Sequence, residues 1–274
     1  MLYPLWVEQA VPIFFLIEAF QIYKKEQIIY PNLQKLWHRL IKPFFIIQCI
    51  FILYYLFNGT SFCYILKRIQ NGGDGPGSYY IWVYIQLAFL CPLLTCVVKS
   101  KAAIWIFFCV CILFEIFCSL VNLNEDIYRL LCIRYIFLIY LGYLWVKKGI
   151  VLTFKSGLLS VMSAVLILIL CYTRQHHPEF NYEPLVFDTS WTQFHWFTYF
   201  LPWSLLSFII CKCYQFRPNW LINRFIILCG KRSYEIFLFQ MLVFGLSPLA
   251  GKINVIISLL PLMLYERRNV KYFK

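Results

Sequence analysis

Five ionisable side chains interrupt long apolar runs of this chain: Glu8, Glu18, Glu115, Arg134 and Glu235. A charge held at bilayer depth is costly, so each is a candidate for proton transfer, ion pairing or capture of an anionic group. Glu235 follows Lys231 and Arg232 by four and three residues, the spacing of a local ion pair on a helix. Glu125 and Arg129 share that spacing and read as a surface pair at a helix start. Arg134 stands further along, roughly 10 Å inside its helix at ~1.5 Å per residue. It either snorkels outward or holds an anionic ligand. Glu18 lies near one end of its run, where a short snorkel is open to it.

A second constellation is Asn71-Gly-Gly-Asp-Gly-Pro-Gly-Ser-Tyr-Tyr80. Gly and Pro set turns, and Ser78 is a good helix cap. Tyr79, Tyr80, Trp82, Tyr84 and Gln86 then crowd the first two turns of an apolar helix. Aromatic rings are common at a membrane interface, and the same rings can stack on the face of a sugar. The segment is not a phosphate-binding loop, because it lacks the Gly-Lys-Ser/Thr ending. His176 and His177 sit near Glu179, Glu183 and Asp188, but adjacent histidines point in different directions, and no metal site is assigned. His38 falls in a basic loop and His195 beside Trp196. The twelve cysteines lie almost entirely in apolar runs and behave as small hydrophobes, not as a disulfide framework.

The elements that must carry these residues follow from composition. Hydrophobic residues make up 62% of the chain and charged ones 14%, too little polar surface to cover a soluble core. The expected fold class is all-α, a polytopic transmembrane bundle partnered by the lipid bilayer. Strand barrels are excluded because the runs are continuously apolar instead of alternating. About nine spans are expected, near 2–23, 43–57, 79–98, 103–121, 127–146, 156–173, 195–211, 233–249 and 253–265. The second is short and can borrow Leu36–Ile41 as an approach. Of 25 basic residues, 19 fall on one side in this arrangement, which the positive-inside rule makes cytoplasmic. The N-terminus is then outside and the C-terminus inside. The net charge of +13 is read as topology and not as a nucleic-acid surface. Residues 1–274 are expected to form a single membrane domain.

Several segments resemble those of the integral-membrane acyltransferase family 3. Val11-Pro-Ile-Phe-Phe-Leu-Ile17 is similar to the family's P-x-F-F segment, and His38-Arg-Leu-Ile-Lys-Pro-Phe44 to the approach that follows it. Gly75-Pro-Gly-Ser-Tyr-Tyr-Ile-Trp-Val-Tyr-Ile-Gln86, with Pro92-Leu-Leu94, resembles its Tyr-rich helix ending near Pro-Leu-Leu. Arg134-Tyr-Ile-Phe-Leu-Ile-Tyr-Leu-Gly142 resembles its R-Y-x-x-F-x-x-G-Y helix. Gly230-Lys-Arg-Ser-Tyr-Glu-Ile-Phe-Leu-Phe-Gln240 resembles its late helix. The motifs stand in the family's order and span nearly the whole chain.

The resemblance implies transfer of an acyl group, usually acetyl from acetyl-CoA, to a hydroxyl of a surface polysaccharide or glycolipid. It implies no bound cofactor and a place in the bacterial cytoplasmic (inner) membrane. Arg134, Tyr79, Tyr80, Gln86 and Ser78 are the candidates for the acceptor or acyl end. Ser233, Tyr234 and Gln240 are candidate polar groups on the late helix, with packing an equal account of them. Lys24, Lys25, Lys35, Arg39 and Lys42 are candidates to meet the CoA phosphates, or serve orientation alone. The chain departs from the family at Glu18, where Ser or Gly is usual, and at Gln240, where His is common. Nothing in it matches the Arg-to-His helix whose His is taken as general base. Two readings follow: the start lies one helix upstream, or the product lacks that base. Enzymatic activity is therefore left open. The rival functions are a glycan-intermediate transporter or flippase, and an inactive scaffold of a glycan-assembly system.

Overall fold

The computed structural model describes residues 10–25, 30–149, 154–176, 196–215 and 227–246. The described residues are helical and contain no strand. Their order is α1 (Ala10–Tyr23), α2 (Leu33–Leu36), a π turn (Trp37–Ile41), α3 (Lys42–Phe57), α4 (Phe62–Gln70), α5 (Tyr79–Leu93), α6 (Thr95–Lys99) and α7 (Ala103–Val121). Then follow α8 (Glu125–Leu130), a 3-10 turn (Cys132–Tyr135), α9 (Ile136–Lys148), α10 (Phe154–His176), a 3-10 turn (Trp196–Tyr199), α11 (Phe200–Gln215) and α12 (Ser233–Leu246). The expected run at 253–265 lies outside the described residues.

Two helices among those described are long and apolar enough to cross a bilayer. They are Leu33–Phe57, with mean hydropathy 2.0, and Ala103–Val121, with 2.6. The first joins α2, the π turn and α3 without a break, so the short run at 43–57 does extend through Leu36–Ile41. Pro43 explains the π turn. A proline inside a helix has no N–H and its ring crowds the carbonyl four residues back. One wide turn just before it, with the Lys42 N–H reaching the Trp37 carbonyl, lets the helix pass through.

Two expected spans are interrupted. The run at 79–98 breaks after Pro92, where Leu94 separates α5 from α6. The Thr95 hydroxyl donates to the Pro92 carbonyl at 2.7 Å, so the kink is capped from within. The run at 127–146 breaks at Leu131, which is extended (φ −86°, ψ 130°). Arg134 therefore stands in a 3-10 turn and not inside a continuous helix, which corrects the depth read from helical rise.

The chain divides into two compact units, residues 1–30 with 83–216 and residues 31–82 with 217–274. In the first, α1 lies along α9. Their approach is set by Gly142, where a Cβ would meet the Ala19 Cβ at 2.7 Å, the Phe20 nitrogen at 2.9 Å and the Leu16 carbonyl oxygen at 3.0 Å. Phe15, Leu16 and Ala19 are buried along this seam, with Leu138, Leu141 and Trp145. The Trp145 indole N–H donates to the Ser207 hydroxyl of α11 at 2.9 Å. In the second unit, α3 packs against α12, and the glycine-rich loop 71–78 folds beside them. Gly75 lies at φ +88°, and a Cβ there would stand 2.5 Å from the Met241 side chain of α12.

Candidate functional site

The sequence candidates separate into two clusters, one in each unit. In the first unit Arg134 is 3% exposed. Its guanidinium carbon lies 4.8 Å above the Tyr128 ring and 5.8 Å from the Tyr135 ring. Tyr128 in turn donates its hydroxyl to Glu115 Oε1 at 2.7 Å, and Glu115 is also 3% exposed. A tyrosine that donates to a carboxylate carries more electron density on its face, which strengthens its hold on a cation. Phe114 stacks on Tyr128 at 5.8 Å and 10°, so the ring cannot tilt away. From another side the Tyr199 hydroxyl donates to the Arg134 carbonyl at 3.2 Å. Arg134 is thus enclosed by rings with a carboxylate behind them, and it does not snorkel to the surface of its unit.

Gln86 fixes the backbone that carries Arg134. Its Nε2 donates to the Leu130 carbonyl at 2.7 Å, and its Oε1 accepts the Cys132 N–H at 3.2 Å. These are two backbone groups flanking the break at Leu131, which the helix ends leave without helical partners. Gln86 is therefore a positioning residue for Arg134. Glu18 does not snorkel either: the Tyr84 hydroxyl donates to its carboxylate. Arg129 pairs with Asp126 at 3.4 Å, three residues away, and the Glu125 side chain lies outside what is described. Lys24 and Lys25 are exposed beyond α1, with the Lys24 Nζ 5.6 Å from the Phe20 ring.

In the second unit the glycine-rich loop is held tightly. Gly72, Gly73, Gly75 and Gly77 all have φ between +84° and +100°, a region that side chains other than glycine rarely adopt. Gln48 of α3 grips the loop, donating from Nε2 to the Asp74 carbonyl at 3.0 Å and accepting the Asp74 N–H on Oε1 at 2.7 Å. The Trp82 indole donates to the Gly72 carbonyl at 2.8 Å. The Ser78 hydroxyl donates to the Gly73 carbonyl at 3.1 Å, so it braces the loop. Tyr79 and Tyr80 are 4% and 8% exposed, and Tyr80 meets Phe237 edge-on at 5.2 Å. Both rings are packed inside the unit.

Of the late-helix candidates, the Tyr234 hydroxyl donates to the Leu40 carbonyl at 2.7 Å, which ties α12 to the π turn. Ser233 and Gln240 are half-buried. Glu235 pairs with Arg232, as its spacing suggested. Lys35, Arg39 and Lys42 are exposed on α2, the π turn and the start of α3. Arg68 donates from Nε and Nη2 to the Tyr64 hydroxyl at 2.9 and 2.7 Å. That contact, with Asp74 adding to it, holds the guanidinium above its ordinary pKa.

Sequence reasoning did not single out Gln48, Asp74, Arg68, Tyr128 or Tyr199. Gln48 had a visible signal, as a neutral polar residue midway along the apolar run 43–57. Among the described residues no group of three His, Cys, Asp or Glu side chains stands together to hold a metal ion.

Neither the curated proteins nor the solved structures give a match. A family comparison does: the acyltransferase 3 model, described as an acyltransferase domain, matches residues 1–265. Arg134, Gly142 and the glycine-rich loop all lie within that match. The chain belongs to acyltransferase family 3, a family of membrane-embedded acyltransferases.

Proposed function

We propose that this protein is a membrane O-acyltransferase that moves an acyl group, usually acetyl, from acyl-CoA to a hydroxyl of a surface polysaccharide or glycolipid. The family match supports acyl transfer in general. The observation that carries the finer reading is the enclosed Arg134, a cation fixed at a break in an apolar run. In the reaction the acceptor oxygen attacks the thioester carbonyl. The carbonyl oxygen takes up negative charge, the C–S bond breaks, and CoA leaves as a thiolate that receives the proton lost by the acceptor. A fixed cation in a dry site stabilises that developing charge at little reorganisation cost. Arg134 has this role in the proposal. The rings of Tyr128 and Tyr135 keep it oriented, and Gln86 keeps its turn in place. No residue of this sequence is assigned as the general base, since none matches the family's His-bearing helix.

The proposed membrane arrangement has about nine spans, the N-terminus outside and the chain in a bacterial inner membrane. The exposed Lys24, Lys25, Lys35, Arg39 and Lys42 then face the cytoplasm, where CoA phosphates are available. Tyr79, Tyr80 and Ser78 serve the acceptor end only through the packing of the loop.

The test is acyl transfer from labelled acetyl-CoA in native membranes. Arg134→Ala is expected to lower the rate at least a hundredfold, with protein amount unchanged, and Arg134→Lys to recover only a small part because its ammonium lacks the planar fork. Transfer at the wild-type rate by Arg134→Ala would refute the assignment of Arg134.

A further inference from the structure

The segment Phe62-Cys-Tyr-Ile-Leu-Lys-Arg-Ile-Gln70 of α4 differs from the apolar runs around it by being two-sided. Its nine residues extend about 13 Å, far short of the ~30 Å needed to cross a bilayer. Phe62, Leu66 and Ile69 recur at i, i+4 and i+7 and so share one face. All three are exposed, Phe62 to 68%. At about 100° per residue, Tyr64 and Lys67 fall on the opposite face. The edge between the two faces that holds Ile65 and Arg68 is the one packed on the unit. Ile65 is buried there, and Arg68 Nε lies 4.0 Å from the Asp74 carboxylate.

The depth of α4 is set by α3. The helix Leu33–Phe57 has 25 residues, about 37 Å, enough to cross the hydrocarbon layer. Lys35, Arg39 and Lys42 stand toward its start, so Phe57 ends it at the other boundary. Ile46, Ile50, Leu53 and Phe57 form an exposed apolar line along it, on the side opposite the buried Phe44, Gln48 and Phe51. Phe57, 89% exposed, closes that line, and Phe62 opens the stripe of α4 after a short turn. Gly59 makes the turn at φ +70°, the Thr60 N–H donates to the Tyr55 carbonyl at 3.0 Å, and Ser61 caps α4 by accepting the Tyr64 N–H at 3.4 Å. The lipid-facing surface of α3 therefore continues onto α4 where hydrocarbon gives way to headgroups. A short helix with an apolar face and a cation on the other lies in the plane of such a boundary.

We infer that α4 is an in-plane anchor docked on the lipid surface, with Phe62, Leu66 and Ile69 among the upper acyl chains and Lys67 at the lipid phosphates. The last turn of α4 carries the start of the glycine-rich loop. The Asn71, Gly72 and Gly73 N–H groups donate to the Lys67, Ile69 and Arg68 carbonyls at 3.0, 3.1 and 3.0 Å. The anchor so holds the loop at headgroup level. This placement needs only the crossing of α3 and no acyl transfer.

The test uses the full wild-type chain in nanodiscs of phosphatidylethanolamine and phosphatidylglycerol, part of the latter carrying a diazirine on the upper half of one acyl chain. After illumination, peptide mass spectrometry reads the labelled residues. Phe62, Leu66 and Ile69 are expected to take up label together with Leu53 and Phe57, and Tyr64 and Lys67 to lack it. The double variant Leu66→Asp, Ile69→Asp is expected to lose the label along α4 while Leu53 keeps it. Protease cleavage within 71–78 should then rise roughly tenfold, the scale of one apolar side chain withdrawn from lipid. Label on α3 with none on α4 in wild type would overturn the anchor, whether water or a second copy meets that face. Label on Tyr64 and Lys67 equal to that on Leu66 would overturn it too, since the helix would then be immersed. So would the absence of label from both helices. Unchanged cleavage in the double variant would overturn the coupling to the loop.

Discussion

Replacing Gly142 by Ala tests the seam between α1 and α9. A methyl group there would sit 2.7 Å from the Ala19 Cβ, 2.9 Å from the Phe20 nitrogen and 3.0 Å from the Leu16 carbonyl oxygen. Ordinary carbon contacts lie near 3.5–4.0 Å, so α1 must retreat by roughly 1 Å. Two of the three atoms are backbone and cannot rotate aside. Overpacking of this kind costs about 1–3 kcal/mol. Alanine recovers part of that, about 1 kcal/mol, through its better helix propensity. The net expectation is a loss of up to about 2 kcal/mol, read as a lower midpoint in thermal unfolding of the detergent-solubilised protein. A second change refines the test. Ala19→Gly removes the 2.7 Å contact but leaves the two backbone contacts, so it should rescue Gly142→Ala only in part. A Gly142→Ala protein that melts above wild type would refute the close-approach argument. Full rescue by Ala19→Gly would show that the backbone contacts carry no strain.

Two further substitutions probe the clamps. Gln86→Leu should strand the Leu130 carbonyl and the Cys132 N–H at the break before Arg134. It is expected to lower acetyl transfer at least tenfold and to destabilise by about 2–4 kcal/mol, checked by transfer rate and thermal midpoint together. Gln86→Glu, which keeps only the acceptor, should fall between Leu and wild type. Gln48→Leu should free the loop at Asp74 by a similar cost of about 2–4 kcal/mol, measured as faster protease cleavage within 71–78. Equal cleavage in Gln48→Leu and wild type would refute the clamp.

Helices were legible in the sequence wherever an apolar run was continuous. Ala103–Val121 matches the expected bounds at both ends. Its stop is physical: Asn122 takes the left-handed conformation at φ 48°, and Asn124 caps the next helix by accepting the Asp126 N–H. The breaks were harder to read. Leu131 and Leu94 are ordinary helix formers, and hydropathy does not register a helix that stops inside an apolar run. The break at Leu131 is supported by Gln86, which lies 44 residues from Leu130. Arg134 was legible as a charge out of place, but its enclosure was not, because Tyr199 comes from 65 residues away. The aromatic cluster at 79–86 was ambiguous for a related reason. Interfacial, sugar-facing and packed tyrosines share one composition, and only the position of Phe237 distinguishes them.

The wide turn at Trp37–Ile41 also fixes angular phase. A regular helix advances about 100° per residue, so one residue more or fewer before Pro43 would rotate all of α3 by that amount about its axis. Gln48 would then point away from Asp74, and Phe44 and Phe51 would leave the buried side together. A gap of a single residue between Leu36 and Pro43 in a relative therefore signals a different helix face, not a neutral change in length.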